Sequence, residues 1–95
     1  MAAFDIVTFS LQPEVSPDAF IEIDAQMQEW AYVNLPGIMR RTVARNTEGQ
    51  WLVVQLFGDL SQCGTGYFTR QERPVSEWSA CINHTTVVAT AYTLL

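Results

Sequence analysis

The sequence predicts an α+β fold in which four antiparallel strands form one sheet and helices cover one of its faces. Three observations lead to this prediction. The 95 residues suffice for one domain. Strand-like and helix-like segments alternate in the order β-α-β-β-(α)-α-β. The strands are apolar on both faces, which helices alone cannot cover in so short a chain. We therefore expect residues 1–95 to form a single domain.

The composition excludes several classes of protein. With 48% hydrophobic and 16% charged residues, the chain is too apolar to be disordered. A net charge of −5 argues against a nucleic-acid partner, and the absence of a long apolar run argues against membrane insertion. All five basic residues are arginines. Because lysine is depleted at interfaces, its absence favours a chain with much of its surface against a partner.

The cysteines and glycines do not form a recognisable cofactor motif. Cys63 and Cys81 are 18 positions apart, which matches neither a redox nor a zinc pattern. With one histidine and two scattered cysteines, we expect no metal site and no cofactor. Gly64 and Gly66 lack the further glycine of a nucleotide loop. The N-terminus shows no signal peptide, so the sequence predicts a cytoplasmic protein with both thiols buried.

The first strand and helix have clear sequence signals. Residues Phe4 to Leu11 are rich in β-branched and aromatic side chains, which is typical of a strand. Ser16 as N-cap and Pro17 at the first helical position predict a helix that must end by Leu35, before Pro36. Its apolar stripe comprises Phe20, Ile23, Met27, Trp30 and Ala31. Its outer face comprises Asp18, Glu22, Gln26 and Glu29.

A hairpin and a less regular segment follow. Ile38–Arg45 and Gln50–Phe57 are predicted strands, joined by turn residues at 46–49. Residues 61–74 are expected to be partly irregular and mobile. Asp59 or Ser61 could cap a short helix there, but Gly64 and Gly66 weaken it by about 1 kcal/mol each.

The end of the chain is predicted to contain a short helix and a final strand. Ser76–Asn83 favours the helix, with Asn83 as its C-cap, and Thr85–Leu95 favours the strand.

The strands lack the apolar–polar alternation of a sheet with one wet face. In the third strand, Trp51 and Val53 share one face, while Leu52 and Val54 share the other. The first and last strands show the same two-sided pattern. Since helices cover only one face, we expect a second copy of the same sheet to cover the other, making a homodimer.

These features resemble the dimeric α+β barrel proteins, and within them the antibiotic-biosynthesis-monooxygenase-like group, over essentially the whole chain. The residues that carry the resemblance are Ser16-Pro17, Trp30, Asn34 to Ile38, Arg40-Arg41, Trp51, Cys81 to Asn83 and Tyr92. The resemblance implies a ferredoxin-like monomer whose sheet joins that of a second copy to form a barrel, with the helices outside.

The function implied by the resemblance is broader. The superfamily includes cofactor-free oxygenases of aromatic polyketides, haem-degrading enzymes, small isomerases and members without known activity. Haem-degrading relatives use an Asn on the first strand together with a Trp and a helix-borne His. Here the first strand has no Asn, and His84 follows the last predicted helix, so haem is not expected. A fold by itself carries no reaction.

His84 is the candidate catalytic residue, because it alone is expected to titrate near neutrality. The alternative is a histidine that makes local hydrogen bonds at a helix–strand junction. A set of Cys63, Asp59 and His84 would suit nucleophilic chemistry, but nothing in the sequence brings the three together. A buried, inert Cys63 is the preferred interpretation.

Aromatic residues are the candidate ligand-binding set. Tyr67, Phe68 and Trp78 flank the irregular segment and could line an apolar pocket, with Arg41 or His84 supplying polarity. The alternative is ordinary core packing. Two functions remain open: a cofactor-independent oxygenase or isomerase acting on a small, largely apolar or aromatic molecule, and a non-catalytic ligand-binding or assembly module. The sequence leaves open which faces Arg40 and Arg41 occupy.

Overall fold

The computed structural model describes all residues, 1–95. The strands are β1 (Ala3–Leu11), β2 (Ile38–Arg45), β3 (Trp51–Phe57) and β4 (Ile82–Thr93). The helices are α1 (Pro17–Asn34) and α2 (Val75–Ala80), and two 3₁₀ helices span Leu60–Gln62 and Gly66–Thr69. The strands form one antiparallel sheet in the order β2-β3-β1-β4, with both helices packed on the same face. The predicted α+β, ferredoxin-like architecture is confirmed.

Helix α1 begins and ends where its sequence signals place it. The Ser16 side chain accepts a hydrogen bond of 3.1 Å from the backbone N–H of Ala19. At the other end, Leu35 N–H donates to the carbonyl oxygen of Ala31 before Pro36 stops the helix. The predicted apolar stripe faces the sheet, but it contains one buried residue that the prediction omitted, Asp24.

The core between sheet and helices is largely aromatic. Phe20 of α1 packs edge-on against Trp51 of β3, with ring centroids 4.8 Å apart. Phe9 of β1 makes edge contacts of 5.9 Å with both Phe20 and Trp78 of α2. Such edge-to-face pairs stabilise beyond the area they bury. These rings join both helices to the centre of the sheet.

A β-bulge in β2 determines the faces of the two neighbouring arginines. Ile38 lies opposite Phe57, but Arg40 lies opposite Leu56, so Met39 is an extra residue on β2. Beyond the bulge, Arg41 lies opposite Gln55 and points beneath α1, where it is 5% exposed. Arg40 is exposed on the other face of the sheet.

The last helix and strand differ from their predicted bounds. Helix α2 begins at Val75 and is capped at its C-terminal end by Cys81 rather than Asn83. Strand β4 begins at Ile82 because its first residues pair with the end of β1, with Asn83 opposite Ser10. The register then shifts, so that Val88 lies opposite Thr8 and residues 84–87 form an irregular stretch opposite Phe9. A local helix signal is overridden here by pairing with a distant strand.

Residues 58–74, named the covering segment, cross the helix-facing side of the sheet. Two 3₁₀ turns replace the single weak helix that the sequence allowed. Asp59 caps the first turn reciprocally with Gln62, as a capping box. Hydrogen bonds from Ser61 lower the pKa of Asp59 to about 2. The partly irregular character predicted for this segment is confirmed.

The face of the sheet away from the helices is named the open face. Its apolar side chains are partly or largely exposed, with Val88 at 60% and Tyr92 at 56%. Strand pairing places Phe4 opposite Leu56 and Ile6 opposite Val54 on this face. The apolar members are Phe4, Ile6, Leu52, Val54, Leu56, Val88 and Tyr92. The predicted two-sided apolar pattern of the strands is confirmed.

Candidate functional site

Five polar side chains are buried between the sheet and the layer that covers it. They are named the inner polar cluster: Asp5 (2% exposed), Asp24 (9%), Arg41 (5%), Gln55 (1%) and Tyr67 (9%). Burying a polar group costs free energy unless it is hydrogen-bonded, and burying a charge costs more unless it is paired. A cluster of this kind in a small core therefore indicates either a specific structural network or a site.

Strand register brings three of these residues into one row. Arg41 of β2 lies opposite Gln55 of β3, and Gln55 lies opposite Asp5 of β1. Residues directly opposite one another point to the same face, with Cβ atoms about 5 Å apart. The row ends at Ala91 of β4, which is opposite Asp5 and exposed. The buried Asp5 is therefore one strand away from solvent.

Arg41 and Asp24 form a buried bidentate ion pair. The Nη2–Oδ1 distance is 2.6 Å and the Nη1–Oδ2 distance is 3.2 Å. Asp24 Oδ1 also accepts a hydrogen bond of 2.9 Å from Trp78 Nε1. Arg41 Nη1 lies 3.3 Å from Gln28 Oε1, so its guanidinium is already engaged by protein partners. This half of the cluster links α1, α2 and β2.

The other half of the cluster is incompletely hydrogen-bonded. Gln55 Nε2 donates to the Tyr67 hydroxyl oxygen over 3.2 Å. Gln55 Oε1 has no hydrogen-bond partner although it is buried. Burial raises the pKa of Tyr67, so its hydroxyl stays protonated at physiological pH. An orphaned buried acceptor requires an explanation in a native structure.

Asp5 lies in the row between Gln55 and Ala91, beneath the covering segment. One oxygen, Oδ2, accepts a hydrogen bond of 3.3 Å from Gly64 N–H. Desolvation by burial raises the pKa of Asp5, and the Gly64 hydrogen bond only partly offsets this.

One groove reaches the inner polar cluster from outside. It has a volume of about 500 Å³, which is within the range of small-ligand pockets, and lies between α1 and β2 with Asp24 among its lining residues. Ile21, Ala25, Val43 and Trp51 supply apolar walls. The groove therefore combines an apolar surface with access to a buried carboxylate.

His84 lies in a separate cleft of about 390 Å³, which Phe68 and Ser79 also line. Its Nε2 lies 2.8 Å from the Ser79 carbonyl oxygen and 3.2 Å from Ser79 Oγ. The carbonyl can only accept, so Nε2 carries a proton and cannot act as a base towards Ser79. Phe68 makes edge contacts with both His84 and Trp78, at 6.0 and 5.1 Å, and so lies between the cleft and the core.

Cys63 does not have the surroundings of an activated nucleophile. Burial and the nearby Asp5 and Asp59 raise its pKa, which disfavours the reactive thiolate. His84 is bonded to Ser79 instead of approaching the thiol. Cys63 is only half-buried, contrary to expectation, whereas Cys81 is buried as predicted.

No three His, Cys, Asp or Glu side chains come together in a manner that could hold a metal ion. No helix is both long and apolar enough to cross a membrane.

The predicted ligand-binding residues come together inside the protein. The Tyr67 and Phe68 rings are 4.9 Å apart, and Trp78 lies 6.2 Å from Tyr67. Arg41 joins them through Asp24. His84 touches this group only through Phe68. The sequence reasoning missed Asp5, Asp24 and Gln55, although each is a polar residue at an inward-facing position of an apolar pattern.

Comparisons with known proteins support the fold. The sequence matches no family profile and no curated protein. Among solved structures, it is similar to SnoaB, a cofactor-independent oxygenase from Streptomyces nogalater, with a TM-score of 0.67 and 16% identity over 99% of this chain and 93% of that chain. It is also similar to a putative antibiotic biosynthesis monooxygenase from Nitrosomonas europaea, with a TM-score of 0.67 and 14% identity over 99% and 90% of the two chains. The chain has the antibiotic-biosynthesis-monooxygenase-like fold.

The same fold occurs in proteins without a known activity. A dimeric ferredoxin-like protein of unknown function from Jannaschia sp. CCS1 matches with a TM-score of 0.66 and 14% identity, over 99% of this chain and 100% of that chain. This architecture is thus shared by an enzyme and by proteins of unknown function. The predicted resemblance is confirmed at the level of fold, and the chemistry must be argued from the residues.

Proposed function

We propose that the inner polar cluster binds a small, largely apolar or aromatic molecule and that the protein acts on it as a cofactor-independent oxygenase or isomerase. The observation that carries this proposal is the buried Tyr67 hydroxyl, which accepts a hydrogen bond from Gln55 and donates to no protein group. A ligand with an oxygen atom on its ring could receive the Tyr67 proton. The aromatic rings of Phe68 and Trp78 would hold its ring.

The residues suit a ligand that loses its proton to water and reacts as an anion. In an oxygenation without a cofactor, the ligand itself must supply the electrons that reduce O₂, which favours a phenol or quinol able to form an anion. Tyr67 is a neutral donor at physiological pH, because burial raises its pKa. A neutral donor fixed in a dry site stabilises developing negative charge on a ligand oxygen. An isomerisation through an enolate would use the same donor.

Ligand entry requires movement in the layer over the sheet. Asp5 and Gln55 are at most 2% exposed, and the core rings fill the space around them. The covering segment contacts the row through the Gly64–Asp5 and Tyr67–Gln55 hydrogen bonds, of 3.3 and 3.2 Å. We expect these long bonds to break when a ligand enters.

We also propose that the protein is a homodimer joined through the open face. This face leaves seven apolar side chains partly or largely exposed on a single sheet. A second identical sheet would bury them in the manner of packed sheets. The dimeric character of the Jannaschia protein supports this assembly.

Oxygen uptake tests the activity. Purified protein, freed of metals, should consume O₂ with at least one member of a panel of quinols and polyketide mimics, and Tyr67→Phe should lower kcat/KM by about 10². His84→Ala serves as the second arm, since His84 lies in the separate cleft. A loss confined to Tyr67→Phe places the chemistry in the cluster, whereas a loss confined to His84→Ala would contradict the cluster and favour the cleft.

The packed interior favours the second candidate, a non-catalytic binding or assembly module. Its distinguishing result is saturable quenching of tryptophan fluorescence by the same panel without O₂ uptake or isomerisation. If the wild-type protein showed neither turnover nor binding with any member of the panel, this result would contradict a ligand site in the cluster.

A further inference from the structure

Asp5 is a buried carboxyl group without a positive partner. It is 2% exposed, and its hydrogen-bond donor in the structure is Gly64 N–H, at 3.3 Å. The cation on the same row, Arg41, is two strands away and already paired with Asp24. An ionised Asp5 would therefore be a buried charge with one long hydrogen bond, which is unfavourable.

Gln55, directly opposite Asp5, has the complementary deficiency. Its Oε1 is a buried acceptor without a donor, while its Nε2 donates to Tyr67. A carboxyl group that keeps its proton is a donor as well as an acceptor. A proton on Asp5 would satisfy the Gln55 oxygen and at the same time remove the unpaired charge.

We propose that Asp5 carries a proton that it donates to Gln55 Oε1, and that this proton determines whether the Tyr67 hydroxyl can donate to a ligand. With Asp5 protonated, the hydrogen bonds run in one direction along the row. Asp5 donates to Gln55 Oε1, and Gln55 Nε2 donates to the Tyr67 oxygen. The Tyr67 proton is then free for a ligand oxygen. Asp5 acts in this scheme as a positioning residue, through Gln55.

Loss of the proton from Asp5 to water reverses the direction. A carboxylate only accepts hydrogen bonds, so it would favour a Gln55 amide rotated by 180°, with Nε2 donating to Asp5. Gln55 Oε1 would then face Tyr67 and accept the proton of its hydroxyl. Tyr67 could no longer donate to a ligand. Ionisation of Asp5 thus determines whether the Tyr67 hydroxyl can donate to a ligand, although Tyr67 itself stays protonated.

The groups facing Asp5 favour the protonated form. The covering segment contributes the Cys63 thiol and the Tyr67 hydroxyl, and the charge of Asp5 raises the pKa of each. Asp59 lies on the same segment and adds negative charge near Cys63. β3 contributes the neutral Gln55, and β4 contributes Ala91. The ion pair of Arg41 on β2 with Asp24 on α1 offers no free positive charge.

The protonation of Asp5 can be measured without a ligand. We expect ¹³C NMR of the aspartate side chains, assigned with Asp5→Asn, to show Asp5 titrating above the usual aspartate pKa of about 3.9. The Gln55 side-chain amide signals should shift with the same midpoint. Asp5→Asn, which can donate to Gln55 at every pH, should abolish that shift. An Asp5 that titrates at or below the usual aspartate pKa, or a Gln55 signal that does not follow Asp5, would overturn the proposal.

The effect on Tyr67 rests on the proposed function and is measured with a probe, 2,4-dinitrophenolate, which stays ionised over the pH range used. Wild-type affinity should fall about tenfold as pH rises through the Asp5 midpoint, the effect of losing one hydrogen bond to a charged group. Asp5→Asn should keep the higher affinity at all pH values. Asp5→Ser, which also retains a donor, serves if the Asn variant folds poorly.

Tyr67→Phe distinguishes hydrogen-bond donation by the Tyr67 hydroxyl from repulsion of the anionic probe by an ionised Asp5. Without the hydroxyl, the probe should bind weakly and with the same affinity at every pH. A pH dependence that persists in Tyr67→Phe would show repulsion by Asp5 alone and overturn the switch. Failure of every form to bind the probe would contradict the proposed ligand site, while the NMR midpoints would still decide whether Asp5 controls Gln55.

Discussion

The indole N–H of Trp78 on α2 donates a buried hydrogen bond of 2.9 Å to the carboxylate of Asp24 on α1, 54 positions away in the chain. The same Asp24 oxygen, Oδ1, receives Nη2 of Arg41 at 2.6 Å. One carboxylate therefore connects α1, α2 and β2 at the centre of the protein. Because all three groups are buried, each depends on the others to be satisfied.

Removing the indole donor tests this connection. Trp78→Phe keeps an aromatic ring but leaves Asp24 with one donor fewer. We expect the free energy of unfolding, measured by urea denaturation, to fall by about 2 kcal/mol, as for a hydrogen bond to a charged group. Trp30→Phe is the matched control, because its indole N–H bonds to Glu72 at the surface, 3.1 Å away. Equal losses in the two variants would show that ring volume, rather than the Asp24 bond, sets the effect.

Removing the cation should cost more. Arg41→Met leaves Asp24 as an unpaired buried charge, and we expect a loss of about 3–5 kcal/mol in unfolding free energy. The double variant Arg41→Met with Asp24→Asn should recover much of it, since the amide still accepts from Trp78 and carries no charge. Arg40→Met, on the open face, is the control and should leave the stability of a folded subunit nearly unchanged. An additive double variant would disprove the coupling.

Asp5 should make stability depend on pH in the opposite direction to a salt-bridged carboxylate. Burial raises its pKa in the folded state, so between the unfolded and folded pKa values the folded protein binds more protons. Its stabilising contribution is present below the unfolded pKa and is lost as pH rises through the folded pKa. We therefore expect Asp5→Asn to become progressively more stable than wild type from pH 4 to pH 8, by urea denaturation. Asp18→Asn, on the exposed face of α1, is the control, and an equal trend there would contradict the assignment.

A charge in the centre of the open face should separate the proposed dimer. Light scattering on a sizing column should give wild type at twice the chain mass of 10.7 kDa and Val54→Asp at a single chain mass. Val33→Asp places the same charge on an exposed part of α1 and should remain dimeric. Circular dichroism checks that both variants keep their secondary structure. A wild-type monomer at micromolar concentration would contradict the assembly.

Much of the fold followed from local chemistry. Ser16 and Pro17 fixed the start of α1, and the turn at 46–49 fixed the β2–β3 hairpin. The bounds of α2 and β4 could not be read locally, because Asn83 is drawn into the sheet by pairing with Ser10. Tertiary pairing overrides local preference at such junctions.

The candidate site was only partly readable. Asp24 falls within the apolar stripe of α1, and Asp5 and Gln55 share the inward parity of Val7 and Val53, so their burial had a signal in the pattern. The burial of Arg41 had none, since it depends on the Met39 bulge. Nor could the sequence place Tyr67 over Gln55, because the covering segment has no periodicity that fixes its path.

The bulge in β2 determines which of the two neighbouring arginines, Arg40 or Arg41, points beneath α1 towards Asp24. β2 is an edge strand, so its pairing with β3 can slip by one residue without breaking a ladder on its other side. If Met39 joined the regular pleat, Arg40 would move opposite Gln55 and Arg41 would turn to the open face. One guanidinium would replace the other beneath α1. The counter-charge that Asp24 requires would therefore be present in either register.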